Sequence, residues 1–237
     1  MKYKCIGIIA AMKIEAEGLL SHMEDRQDET VGSVTYAAGS IGGQRVVVAV
    51  CGIGKVFAAI CAQTMLLRYH PDCLINTGVA GTLTARLSVG QIAMATDVVQ
   101  HDMDTSAIGD PVGLLSGINL VHIPTDAALT AALTQAAQRA GATVLAGTIA
   151  SGDQFIADGA RKAWIASTFG AIACEMEGAA IGQVAYVGGV PFAVVRAISD
   201  GGDEDAQMDY PTFARMAAER SVAILLDFLR GANRGNA

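Results

Sequence analysis

Short apolar runs alternate along this chain with stretches whose apolar residues recur every three or four positions, and the two patterns predict strands and helices in turn. Residues 5–11 predict a buried first strand, followed by a helix over 13–23 and an acid-rich polar turn over 24–29. Residues 31–38 and 45–50 predict a pair of strands joined through Gly39, Gly42 and Gly43. A second helix is expected over 55–68, closed by Tyr69, His70 and Pro71. Strands follow at 73–76, ending in Thr77-Gly-Val-Ala-Gly81, and at 92–99, with an irregular glycine-rich segment over 100–121. Thr125 or Asp126 would cap an alanine-rich helix that stops at Gly141. The rest predicts strands at 144–151, 171–174 and 191–199, helices at 160–168 and from 178 onward, and an amphipathic helix after Pro211. Such alternation implies an α/β fold: a single domain over residues 1–237, with a central, mostly parallel mixed sheet flanked by helices.

In sheets of this kind ligands collect at the carboxyl ends of the strands. Polar or glycine-rich residues recur there: Met12 and Glu15, residues 78–81, residues 151–156, residues 175–177, and Arg196 with residues 199–202. The pivotal stretch is Ala171-Ile-Ala-Cys-Glu175-Met-Glu177-Gly178, which sets two carboxylates among small and apolar residues at a strand-to-helix turn. Burying an unpaired carboxylate is costly, so something polar must meet them. Glu175 and Glu177 would share one side of an extended turn and accept hydrogen bonds from paired ligand hydroxyls, or else simply cap the following helix. Asp200 directly follows an apolar strand and precedes two glycines that permit close ligand approach. A half-buried carboxyl in that position tends to hold its proton nearer neutral pH. Arg196 could be the buried counter-ion of one glutamate, Glu15 reads either as a site acid or as a surface-helix residue, and Phe155 either stacks on a ligand or belongs to the core.

Composition narrows the classes. The chain of 237 residues is 52% hydrophobic and 16% charged with 27 glycines, which implies a large core and hints at a buried subunit interface. A formal charge of −7 gives no electrostatic reason to bind nucleic acid or an anionic membrane. Five cysteines without a C-x-x-C pair, each among apolar residues, read as free thiols in a reducing compartment, so a cytoplasmic protein is expected. The apolar start is cut short by Lys13 and Glu15 and does not read as a signal peptide. Gly52-Ile-Gly54-Lys55 falls short of a phosphate loop, because Val56 stands where a Ser or Thr is required. His101-Asp102-Met103-Asp104 has no second cluster to complete a metal site.

Six motifs in order, Gly7-Ile-Ile-Ala-Ala-Met12-x-x-Glu15, Gly52-Ile-Gly-Lys55, Asn76-Thr-Gly-x-Ala-Gly81, Ser151-Gly-Asp-x-Phe-Ile156, Glu175-Met-Glu177 and Arg196-Ala-Ile-Ser-Asp200, resemble the methylthioadenosine/S-adenosylhomocysteine nucleosidases of the purine nucleoside phosphorylase superfamily. The resemblance covers nearly the whole chain. It implies a nucleoside phosphorylase-like fold and hydrolysis of the adenine–ribose bond in a homodimer, without metal or organic cofactor. By the same resemblance Glu15 activates water and Asp200, supported by Ser199, protonates adenine N7. Glu177 and Met176 bind ribose, Glu175 and Arg196 lie beside the water and sugar, Phe155 and Ile156 bind adenine, and Gly81 offers a backbone contact. Four positions depart from the pattern: Val79 replaces a common serine, Ile108 and Asp110 stand where relatives often present aromatics across the dimer, and Tyr210 replaces a lid phenylalanine. The tail borne by the preferred nucleoside, such as methylthio, homocysteinyl or aminodeoxyfutalosine, is left open, and a phosphorylase of the same superfamily is the nearest rival.

Overall fold

The computed structural model describes residues 3–201 and 206–232. The elements run β1 (Ile6–Ala10), α1 (Lys13–Ser21), β2 (Glu24–Val31), β3 (Val34–Ile41), β4 (Gln44–Val50), α2 (Lys55–Tyr69), β5 (Cys73–Thr82) and β6 (Ile92–Gln100). After a short 3₁₀ turn at Ser106–Ile108 come β7 (Ile123–Pro124), α3 (Ala127–Arg139), β8 (Val144–Ser151), α4 (Gly159–Phe169), β9 (Ala171–Glu175), α5 (Gly178–Val187), β10 (Phe192–Asp200) and α6 (Ala206–Ala232).

The described strands form one mixed sheet in the order β10-β6-β8-β9-β5-β1-β4-β3-β2, with β7 paired to β6 off this path and β10 also paired to β5. Strands β5, β10, β6, β8 and β9 therefore close into a ring, from which β1, β4, β3 and β2 extend as a flap. The ladders β4–β1–β5–β10 and β6–β8–β9 are each parallel within themselves and join antiparallel at β10–β6 and β5–β9. At the second seam the last residues of the two ladders pair, Gly81 with Cys174, so the loops that carry the polar motifs meet there.

Strand periodicity splits the core. In β1, Ile6, Ile8 and Ala10 face a layer built with Leu19 of α1, Leu133 of α3 and Leu225 of α6. Ile9 faces the opposite layer, with Met65 of α2 and Ile181 of α5. Helix α5 lies close to the sheet because its buried positions are small: a Cβ on Gly182 would stand 2.7 Å from the Phe192 ring.

Three local expectations change. Residues 24–29, expected as a turn, belong to β2, which pairs antiparallel with β3 at the sheet edge. Its charged, exposed side chains, including the Arg26–Asp28 ion pair, suit an edge strand better than a core one. The strand expected at 73–76 continues to Thr82 as β5, because Arg196 pairs with Gly78 and Cys174 with Gly81, holding the glycine run extended. Helix α6 begins at Ala206 and carries Pro211 inside it, where proline forgoes one early backbone hydrogen bond. Gly202 lies outside the described residues. No helix among the described residues is long and apolar enough to cross a membrane.

Candidate active site

A cavity of about 270 Å³ opens at the carboxyl ends of β1, β5, β8, β9 and β10. Glu15, Gly81, Phe155, Ile156, Glu175, Met176, Glu177, Ser199, Asp200 and Tyr210 all line it, although they come from six separate parts of the chain. Arg196 stands behind this wall, 1% exposed. No lysine or arginine lines the cavity among the described residues, whereas four carboxylic acids do.

Glu15 sits in the first turn of α1 yet is only 2% exposed, because the helix starts directly behind the cavity floor. Its Oε2 accepts the N–H groups of Ala11 (3.0 Å) and Met12 (2.9 Å), and its Oε1 accepts that of Val79 (3.0 Å). Burial pushes its pKa up, while Arg196 and these three donors favour the charged form and pull against burial. The surface-helix reading of Glu15 is thus replaced by a carboxylate held by backbone at the base of a pocket.

Glu175 ends β9 and spends its oxygens within the protein. It accepts from the Ser151 hydroxyl, from the backbone N–H groups of Glu177 (3.0 Å) and Gly178 (2.8 Å), and from Arg196. Burial opposes its ionisation, but Arg196, Ser151 and the Gly178 N–H outweigh that, and its pKa lies below the ordinary value. Capping of α5 falls to Glu175, and so does the ion pair with Arg196, itself braced by Asn76, whose Nδ2 donates to Ile9 O at 3.0 Å.

Glu177, at the N-cap of α5, accepts the Gly54 N–H at 2.8 Å through Oε1. Burial and then the adjacent Glu175 carboxylate push its pKa up to about 7, against Arg196 and the Gly54 N–H. The two glutamates therefore divide: Glu175 is ionised structure, and Glu177 is a titratable acceptor facing the cavity.

On the opposite wall, Asp200 ends β10, is 3% exposed and accepts the Ser199 hydroxyl at 2.8 Å. Phe155, half exposed at the rim, meets Tyr210 edge-on with ring centroids 5.6 Å apart. The Tyr210 hydroxyl donates to Met12 Sδ at 3.1 Å. Val79 lends its N–H to Glu15, and neither Ile108 nor Asp110 lines the cavity in the single chain.

Several contributors stand in the quoted motifs without an assigned role. Asn76 and Ser151 each brace the Glu175–Arg196 pair, and a polar residue inside an apolar strand was the available signal for both. Ile53 and Gln154 stand inside the flagged segments 52–55 and 151–156 without an assigned role, and both line the cavity. Among the described residues no group of three or more His, Cys, Asp or Glu could hold a metal ion.

Comparison with known proteins places the chain in a family. Residues 5–230 match the family model of the phosphorylase superfamily. The 5′-methylthioadenosine/S-adenosylhomocysteine nucleosidase of Actinobacillus succinogenes is 42% identical over 94% of this chain and 97% of its own. That of Shewanella halifaxensis is 37% identical over 95% and 98%. The crystal structure of the Neisseria meningitidis nucleosidase with methylthio-immucillin-A superposes with a TM-score of 0.93 at 34% identity, covering 96% of this chain and 99% of that one. Futalosine hydrolase of Helicobacter pylori gives a TM-score of 0.91 at 33% identity, covering 95% and 97%. With six ordered motifs converging on one acid-lined cavity and full-length similarity on both counts, this chain belongs to the phosphorylase superfamily and, within it, to the 5′-methylthioadenosine/S-adenosylhomocysteine nucleosidases.

Proposed function

We propose that this protein hydrolyses the N-glycosidic bond of 5′-methylthioadenosine and S-adenosylhomocysteine, releasing adenine and the 5′-thioribose. Adenine leaves poorly as an anion, so a proton must reach N7 as the C1′–N9 bond breaks and its electrons pass to the purine. Asp200 delivers that proton, with Ser199 fixing its carboxyl. The sugar becomes cation-like, and water adds at C1′ while Glu15 takes a proton from it. Glu177 accepts the ribose hydroxyls beside Met176, Phe155 and Ile156 cover the purine, and Gly81 offers its backbone. Tyr210 and Met12 flank the remaining space, next to the 5′-substituent.

One observation carries the choice of hydrolysis over phosphorolysis. The carboxylate of Glu15 is backed by three N–H groups in a cavity lined by four acids and no cation among the described residues. A water molecule suits that surrounding, and a phosphate dianion would be repelled by it. The test is product analysis after incubation with methylthioadenosine in phosphate-free buffer. Adenine plus free methylthioribose supports the reading; release that requires phosphate and yields the sugar phosphate overturns it.

The working unit in this reading is a cytoplasmic homodimer. Val56, Phe57, Ile60 and Leu67 form an exposed apolar stripe along α2, continued by Tyr186 and Val187 at the end of α5, and a second copy is the partner that would cover it. Five buried free cysteines suit a reducing compartment. Light scattering should give twice the chain mass, and a Phe57→Glu variant should give the monomer.

A further inference from the structure

The two sequence patterns that the proposed chemistry leaves unused, Gly52-Ile-Gly54-Lys55 and His101-Asp102, meet in space. Lys55 is the first residue of α2, and its Nζ lies 2.6 Å from Asp102 Oδ1 and 3.0 Å from Gln100 Oε1, at the end of β6. The other Asp102 oxygen accepts the Asp153 N–H at 2.8 Å, and Asp153 Oδ1 accepts the Lys55 N–H at 2.7 Å. A ring thus closes through the turn before α2, the end of β6 and the loop after β8. Gln100 extends it to α5, donating to Gln183 Oε1 at 2.7 Å.

The ring touches the cavity only through what it holds. Gly54, next to Lys55, donates its N–H to Glu177, and Gln154, Phe155 and Ile156, next to Asp153, form one cavity wall. The turn has no slack: Gly54 has φ +102°, and a Cβ there would stand 3.0 Å from Asp153 Oδ1. A lysine at a helix N-terminus also opposes the helix dipole, a conflict that Asp102 offsets only while the ion pair is formed. With its side chain 18% exposed, that of Asp102 17%, the pair is partly desolvated.

We propose that Lys55 and Asp102 are positioning residues for nucleoside binding: their ion pair keeps the Gly54 N–H on Glu177 Oε1 and seats residues 153–156 against the purine, leaving the second Glu177 oxygen for the sugar. The inference rests on the reading of Glu177 as the ribose acceptor.

Lys55→Met and Asp102→Asn, singly and together, test it through adenine release, melting temperature and the pH profile of KM. We expect KM for methylthioadenosine to rise about tenfold in each single variant with kcat changed less than about threefold. The double variant should be no worse than the poorer single, because both remove one contact. The pH at which binding weakens should also move upward, since a displaced Gly54 N–H no longer favours ionised Glu177. Glu175, Arg196, Glu15, Cys51 and Tyr210 also face Glu177 electrostatically, and the variants leave all five in place. A lower melting temperature with unchanged KM and unchanged pH profile would overturn the proposal, provided that Glu177→Gln alone weakens binding. If Glu177→Gln behaves as the wild type, the ribose reading fails and takes this inference with it.

Discussion

Gly78 and Glu15 compete for one volume: a Cβ placed on Gly78 would stand 2.6 Å from Glu15 Oε1. The glycine is therefore the space in which the carboxylate rests, and the adjoining Val79 N–H is one of its three donors. Gly78→Ala must push Glu15 off those donors. We expect a fall in kcat of about 10²-fold, of the size that displacements of about 1 Å cause, with a smaller change in KM. Steady-state adenine release checks this, and a variant with normal kcat would show that Glu15 tolerates displacement.

Neutralising each end of the proposed proton path separates two roles. Glu15→Gln keeps the shape, but an amide cannot satisfy donors on both sides, so one Gln N–H would face a backbone N–H. Asp200→Asn keeps the shape and removes the acidic proton. Each should lower turnover by about 10²–10⁴-fold. The two differ in turnover of a nucleoside whose leaving group is already activated. Such a substrate should largely rescue Asp200→Asn and leave Glu15→Gln impaired; equal rescue of both would contradict the division of labour.

How far this site could be read from the chain depends on the range of the forces that build it. Glu175 and Asp200 end apolar strands and Glu177 stands two residues past one, so local pattern exposes them, whereas Glu15 lies in the first turn of a helix and by pattern reads equally as a surface residue, its role coming from the family resemblance. The glycine run at residues 77–81 reads as the segment that closes a short strand rather than as part of it, because what keeps it extended is pairing with β10 and β9, whose residues lie about a hundred positions away. For the same reason Asn76 and Gly54 were not singled out as braces: their partners, Arg196 and Glu177, are 120 and 123 residues distant. Strand β2 was hidden by a different cause, since an exposed edge strand carries no apolar signature.

The Glu175–Arg196 pair is the electrostatic keel of the site. Both side chains are almost fully buried, and Asn76 and Ser151 brace them, while Arg196 Nε is left without a hydrogen-bond partner among the described residues. Removing one partner leaves an uncompensated buried charge, so Arg196→Met should destabilise the fold by about 3–5 kcal/mol in urea titration. The sign with pH follows from the depressed Glu175 pKa. Its stabilisation is present above the ordinary carboxylate value and is lost as pH falls through the lower folded value. Glu175→Gln should flatten that acid limb, and an unchanged limb would assign it to other carboxylates.

Glu177 titrates in the opposite sense. Its folded pKa is raised to about 7, so the native state holds a proton that the unfolded chain has already lost between about 4.5 and 7. The stabilisation from that proton is full at low pH and is lost as pH rises through about 7. Binding runs the other way, because sugar hydroxyls donate best to the ionised carboxylate. Affinity for a non-hydrolysable nucleoside analogue should therefore increase as pH rises from about 6 to 8, while the apo protein becomes less stable. Calorimetric titration should also record proton release to buffer on binding near pH 6.5. Glu177→Gln should abolish both the release and the pH dependence; if proton release persists in that variant, another of the four cavity acids supplies it and Glu177 is ionised before the sugar arrives.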